Sequence, residues 1–301
     1  MLQREQQHNG ISARRAQLAR RTLRRVPVRP FSRSSPRPQR GRSGFTLVEM
    51  TIVLLIVSIL LAAVLTPLSL QMEVRRYADT KKTMDQINEA LIGFLLINGR
   101  LPCPADPTIA DGAANAGVER ATCASAALQV GAIPWVTLNV PETDEWGGRF
   151  KYRVTYQFAD TIGTTVTLGT ENPPCIPATT PTQASFALCA SGDMKVRSRT
   201  TAKAAYDMTN LALPAVFISH GKNGYGAYDR QGNPLPAAAN ADELTNATSG
   251  TVNFISREKT GASSSCSDTA GATPMCEFDD LVAWIPLTTL MNRMVISGKL
   301  P

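Results

Sequence analysis

Histidine is nearly absent: the 301 residues contain two, and only His220 lies beyond the basic amino terminus. A Ser-His-Asp hydrolase would have to be built on that one imidazole, and a histidine-rich metal centre is excluded. No Gly-x-Ser-x-Gly elbow and no phosphate-cradling glycine loop occurs. Nucleophilic hydrolysis and nucleotide chemistry are thus left without their usual motifs. His220 stands beside Gly221 and reads as the end of a strand. Asp279 and Asp280 are adjacent, so they point different ways and read as caps at a helix start. Trp135, Trp146 and Trp284 read as core. The expectation is a protein that is not an enzyme.

Acid is missing from one end of the chain. Residues 1–44 hold 12 of the 31 Lys and Arg residues and a single acid, Glu5, a local charge of +11. Residues 45–301 hold 19 basic and 23 acidic side chains, a net −4. The overall +7 therefore belongs to the amino terminus, and nucleic-acid binding by the remainder has no electrostatic support. Paired arginines and a Pro/Ser/Arg tract in this segment invite comparison with transit peptides and twin-arginine signals. About twenty residues separate those pairs from the apolar run, which fits neither. No function is assigned to residues 1–40.

Charge is also scarce in 45–70, a run of 26 residues whose lone carboxylate is Glu49. About 20 residues suffice to span a bilayer core as a helix. A charge inside such a span costs roughly 2.5–3.5 kcal/mol, so it calls for a reason. Arginines beside the run hold that end in the cytoplasm and place the chain beyond Leu70 outside. Pro67 is expected to bend or loosen the helix. Further on, Val74, Tyr77, Met84, Ile87, Leu91 and Phe94 recur at helical spacing between charged residues, an amphipathic helix. Gly99 and Pro102 end it.

The segment Gly44-Phe45-Thr46-Leu47-Val48-Glu49-Met50, between basic leader and apolar run, resembles the processing site of type IV prepilins and the related type II secretion pseudopilins. The resemblance implies that a prepilin peptidase cuts between Gly44 and Phe45 and methylates the new amino terminus. It further implies that Glu49 meets the charged amino terminus of a neighbouring subunit during filament assembly. The chain then divides into a cleaved basic leader 1–44, a transmembrane and amphipathic helix 45–97 of about 80 Å, and an exported α+β domain 98–301. The implied location is the bacterial inner membrane, single-pass with a cytoplasmic amino terminus and a periplasmic domain, then a periplasmic or extracellular filament. The implied partners are the prepilin peptidase, other pilins or pseudopilins, and the inner membrane.

Within 98–301 the best strand is 149–158, where Phe150, Tyr152, Val154, Tyr156 and Phe158 alternate with polar residues. Weaker strands are expected at 164–168, 194–199, 214–219 and 251–256, joined by turn-rich loops into an antiparallel sheet. The end, 279–299, reads as a helix interrupted at Pro286. The fold class expected is α+β, a long amino-terminal helix packed on an antiparallel sheet, pilin-like. Asp144-Glu145-Trp146-Gly147 and Ser219-His220-Gly221-Lys222-Asn223-Gly224 resemble two further pseudopilin stretches. Some pseudopilins bind calcium in a carboxylate-rich loop. Here Asn223 replaces the Asp of that loop and no dense acidic loop comes after it, so no metal or other cofactor is expected.

No Cys-x-x-C occurs, which disfavours zinc. Six cysteines, Cys103, Cys123, Cys175, Cys189, Cys266 and Cys276, all lie beyond the apolar run. An even number confined to the exported part reads as disulfides in an oxidising compartment. Sequence does not choose among their pairings. Joining sequence neighbours, 103–123, 175–189 and 266–276, would close loops of about 10 to 20 residues, each worth roughly 3 kcal/mol. The reading is a minor pilin or pseudopilin. Its alternatives are an anchored exported binding protein or adhesin that uses the prepilin route, and an anchored enzyme.

Overall fold

The computed structural model describes residues 44–163, 180–210, 212–248 and 250–300, with side chains 63–70 left aside. The expected strand 164–168 and Cys175 lie outside these residues. In chain order the elements are α1 (Leu47–Asn98), β1 (Val130–Ala132), α2 (Trp135–Leu138), β2 (Lys151–Val154), β3 (Lys195–Arg199), β4 (Ala205–Asp207), β5 (Ala215–Ser219), α3 (Ala241–Ala247), β6 (Asn253–Ile255), β7 (Leu281–Ile285) and α4 (Leu287–Ile296). The chain divides into two units, Met1–Val57 and Ser58–Pro301.

In the first unit, 44–57 form the start of α1, and its large apolar side chains are exposed, Phe45 at 78% and Leu47 at 83%. Among the described residues no helix is long and apolar enough to cross a membrane. The spanning half expected at 45–70 is therefore not met there; the run includes the side chains at 63–70. The assigned helix continues through Pro67.

In the second unit α1 turns one stripe inward. Met84, Ile87, Leu91 and Leu95 join a core with Phe150, Tyr152, Val154, Phe217 and Ile285 from the sheet. The stripe starts later than its spacing suggests: Val74 is 70% exposed and Tyr77 42%. Burial begins at Thr80, whose hydroxyl accepts the Glu145 N–H at 3.3 Å. Ahead of it, Glu73 accepts hydrogen bonds from Lys222 and Lys259. Gly99 closes α1 at φ +68°, and a Cβ there would sit 2.2 Å from the Gln183 carbonyl oxygen. Only glycine fits both demands.

The main sheet is antiparallel, ordered β1-β2-β5-β7. α1 and α4 cover one face. On the other, Val216 and Ile218 pack with Met194, Val196 and Phe254 of a second sheet, β4-β3-β6. There β3 and β6 run parallel, a departure from the all-antiparallel expectation. The strand expected at 149–158 is only Lys151–Val154, with a 3-10 turn after it at Tyr156–Phe158. The ladder stops because Thr155 faces Pro214: the Thr155 N–H donates to the Pro214 carbonyl at 2.9 Å, but proline has no N–H to return. The polar residues of the expected strand, Arg153, Thr155 and Gln157, are not wet either; all three are buried.

The carboxyl end also differs from expectation. Residues 281–285 form β7 rather than a helix, with Leu281 and Ile285 in the first core and Val282 and Trp284 against the second. That is a period of two, chosen by pairing to β5. Pro286 then caps α4, which ends near Gly298 at φ +72°.

Candidate processing and assembly site

Gly44 and Phe45 precede α1. A Cβ added to Gly44 would meet nothing within 4 Å, and its backbone is not left-handed. Among the described residues nothing in the fold demands glycine at 44. Thr46 and Glu49 then form a reciprocal cap. The Thr46 N–H and hydroxyl donate to Glu49 Oε2 at 3.0 and 3.1 Å, and the Glu49 N–H donates to Thr46 Oγ1 at 3.2 Å. This is the T-x-x-E capping box, which satisfies two otherwise orphaned amides at a helix start. Sequence reading singles out Glu49 and passes over Thr46, although the spacing is legible. In the single chain Glu49 is exposed and already has partners.

The two further stretches that carry the resemblance meet in space. Ser219 Oγ donates to Asp144 Oδ2 at 2.6 Å, while Asp144 Oδ1 accepts the N–H groups of Trp146 and Gly148 at 3.0 and 2.9 Å. Behind Ser219, His220 is fully buried at the end of β5, and its Nδ1 lies 3.2 Å from Asp280 Oδ1. Its Nε2 has no hydrogen-bond partner among the described residues.

Asp279 and Asp280 do not cap a helix. They precede β7 and form, with Glu243 of α3, a buried cluster whose ligand atoms all lie within 4.8 Å of one another. Glu243 Oε1 accepts from Asn223 Nδ2 at 2.9 Å and from the Asp279 N–H at 3.2 Å. Asn223 also donates its own N–H to Asp279 Oδ2 at 3.0 Å. Asn246 Nδ2 donates to Asp280 Oδ2 at 2.8 Å. Burial pushes Glu243 up to about 7 and Asp279 up to about 6, and neighbouring carboxylates add to both shifts. Asp279 Oδ1 is buried without a hydrogen-bond partner among the described residues. An oxygen-only donor set with one open acceptor fits a hard cation such as calcium in type, and Glu243, Asp279 and Asp280 are the residues that would hold it. Sequence reading looks for acids in the loop after Asn223; the third carboxylate comes from α3 instead.

The structure joins Cys103 to Cys123 and Cys266 to Cys276, with Cα separations of 5.7 and 4.9 Å. Cys189 is disulfide-bonded.

Residues 39–65 match the family model for the prokaryotic N-terminal methylation motif. That motif contains Gly44, Phe45, Thr46 and Glu49, and it is consistent with the type IV prepilin and pseudopilin family. It supports a prepilin-pathway chain, for which the motif implies peptidase processing, membrane anchoring and export. No curated protein and no solved structure matches the chain.

Proposed function

We propose that the chain is a non-enzymatic, pilin-like structural subunit, a minor pilin or pseudopilin of a type IV pilus or type II secretion filament. The observation that carries this reading is the methylation motif placed on an apolar helix whose first turn carries Glu49. Residues 45–70 cross the inner membrane, 1–44 stay cytoplasmic until cleavage, and the domain faces the periplasm. In a filament, lateral packing of apolar helices surrounds Glu49 with hydrocarbon, and the ammonium of a neighbour's Phe45 supplies the countercharge. The domain of about 200 residues is large for a major subunit, which favours a minor or tip position. The test is mass spectrometry of the amino terminus after co-expression with a prepilin peptidase. The expected product begins with N-methylated Phe45; an uncut chain, or one cut elsewhere, overturns the reading.

The second reading, an anchored exported binding protein, is favoured by the cavity beside Lys151.

A further inference from the structure

A cavity of about 500 Å³ lies between β1, the start of β2 and the segment that carries α3. That volume is within the range of small-molecule sites, roughly 300–1,000 Å³. Its walls are largely apolar, with Val130, Phe150, Leu235, Ala238 and Leu244 among them. Its charge is one-sided: Arg120, Arg149 and Lys151 line it, against Asp106.

The three cations differ in how they are held. Arg149 is consumed by Glu142 and by the carbonyls of Pro107, Ile109 and Arg230. Arg120 donates to the Val130 carbonyl at 2.9 Å and stands 3.7 Å from Asp106. Lys151 has neutral partners: its Nζ donates to the carbonyls of Asn246 at 2.5 Å and Thr248 at 3.0 Å. Among the described residues no carboxylate lies within ion-pairing distance of it. An ammonium carries three N–H donors, so one remains to offer.

Capping the carboxyl end of α3 accounts for the two bonds that Lys151 makes. It does not account for a roomy apolar cavity opening beside a cation held by carbonyls alone, with its anionic neighbour Asp280 beyond ion-pairing distance. A cation removed from water without a paired anion is costly: burial pushes this ammonium down to about 8, with Arg153 adding to the shift and Asp280 opposing it from beyond pairing distance. An anion delivered from the cavity side would offset that cost.

We propose that this cavity binds a small monocarboxylate with an apolar body, its carboxylate on Lys151 Nζ and its body against the alanine- and leucine-rich wall. The volume and the lining argue for one charge and a compact hydrocarbon or aryl portion. A second anionic group would find Arg120 and Arg149 already occupied. The inference is independent of filament assembly.

The experiment uses the full chain in lipid nanodiscs, with empty nanodiscs as background. Two probes are compared by ligand-observed saturation-transfer NMR at neutral pH: 4-phenylbutanoate and its uncharged counterpart, 4-phenylbutanamide. Saturable binding of the acid is expected, roughly 10-fold tighter than the amide, as for a charge-assisted hydrogen bond. Lys151→Met should abolish that preference and Lys151→Arg restore part of it. Ala237 lines the mouth from an exposed position. Ala237→Trp should therefore close the cavity without straining the fold, and this keeps the test decisive if Lys151→Met does not fold. Equal binding of acid and amide, binding of neither, or acid binding undiminished in Ala237→Trp overturns the proposal.

Discussion

At the residue scale, Thr46 and Glu49 show how one carboxylate can serve two states of the chain. In the single subunit Glu49 caps its own helix; in a filament the same oxygens would have to receive a neighbour's ammonium. Thr46 is then a positioning residue that holds Glu49 near the amino end. Thr46→Val keeps the volume but removes the hydroxyl, which should cost the helix start about 1 kcal/mol, and Thr46→Ser should restore it. Amide exchange at residues 47–50 checks this: faster exchange in Thr46→Val, recovered in Thr46→Ser, with cleavage after Gly44 unchanged. The buried carboxylates make a second residue-scale case. Glu243 and Asp279 bind protons more tightly folded than unfolded, at about 7 and about 6. Their contribution to stability is therefore present below the ordinary carboxylate range and is lost as pH rises through about 6 and then about 7. Glu243→Gln should flatten that decline in calorimetric melting curves. Calcium should raise the melting temperature above about pH 7 and lose the effect near pH 5, where both groups hold their protons. A decline as steep in Glu243→Gln as in the parent would remove Glu243 from the account.

At the element scale, local pattern and long-range pairing disagree in instructive places. The alternation of 149–158 is legible in the sequence, but nothing local announces that Pro214 stands opposite Thr155 and ends the ladder. The run Leu281-Val282-Ala283-Trp284-Ile285 comes after two acids and before a proline, which reads equally as an interrupted helix. Only the free edge of β5 decides for a strand. In α1 the helix and its Gly99 stop are legible from spacing, whereas the point where packing begins is not. Val74 and Tyr77 have the period of the stripe and none of its burial, because the domain's packed surface covers the helix only from Thr80 onward, the Glu73 ion pairs ahead of it being exposed. This separates two substitutions that the sequence alone would equate. Ile87→Ala leaves a cavity in the core and should cost about 2–5 kcal/mol, while Val74→Ala should stay within about 0.5 kcal/mol. Thermal melting of the two variants side by side is the check, and a comparable loss in both would place the packing boundary elsewhere.

At the scale of the whole molecule, the methylation motif is legible because it is a continuous string in the sequence. The carboxylate cluster is not, because Glu243 comes from α3 and Asp279 and Asp280 from just before β7, with Asn223 donating from a third segment, and only folding brings them together. The Lys151 cavity is hidden for the same reason: an ordinary strand lysine becomes distinctive only when α3 arrives beside it. The proposed assembly role turns on Glu49, and its removal separates the competing readings. Glu49→Ala removes one arm of the cap, yet relieves roughly 2.5–3.5 kcal/mol for a charge placed in a membrane span. Insertion should therefore be unchanged or improved. Cleavage should persist, since Gly44 and Phe45 remain. Incorporation with co-expressed pilins, measured by crosslinking and normalised to inserted protein, should nevertheless fall sharply, because the neighbour's ammonium would be left buried without an anion. Partner capture at the parental level would place this chain at a tip, where no subunit above it offers an amino terminus to Glu49. Failure of both the parent and Glu49→Ala to capture any pilin would leave the anchored binding protein, with the cavity beside Lys151 as its ligand site.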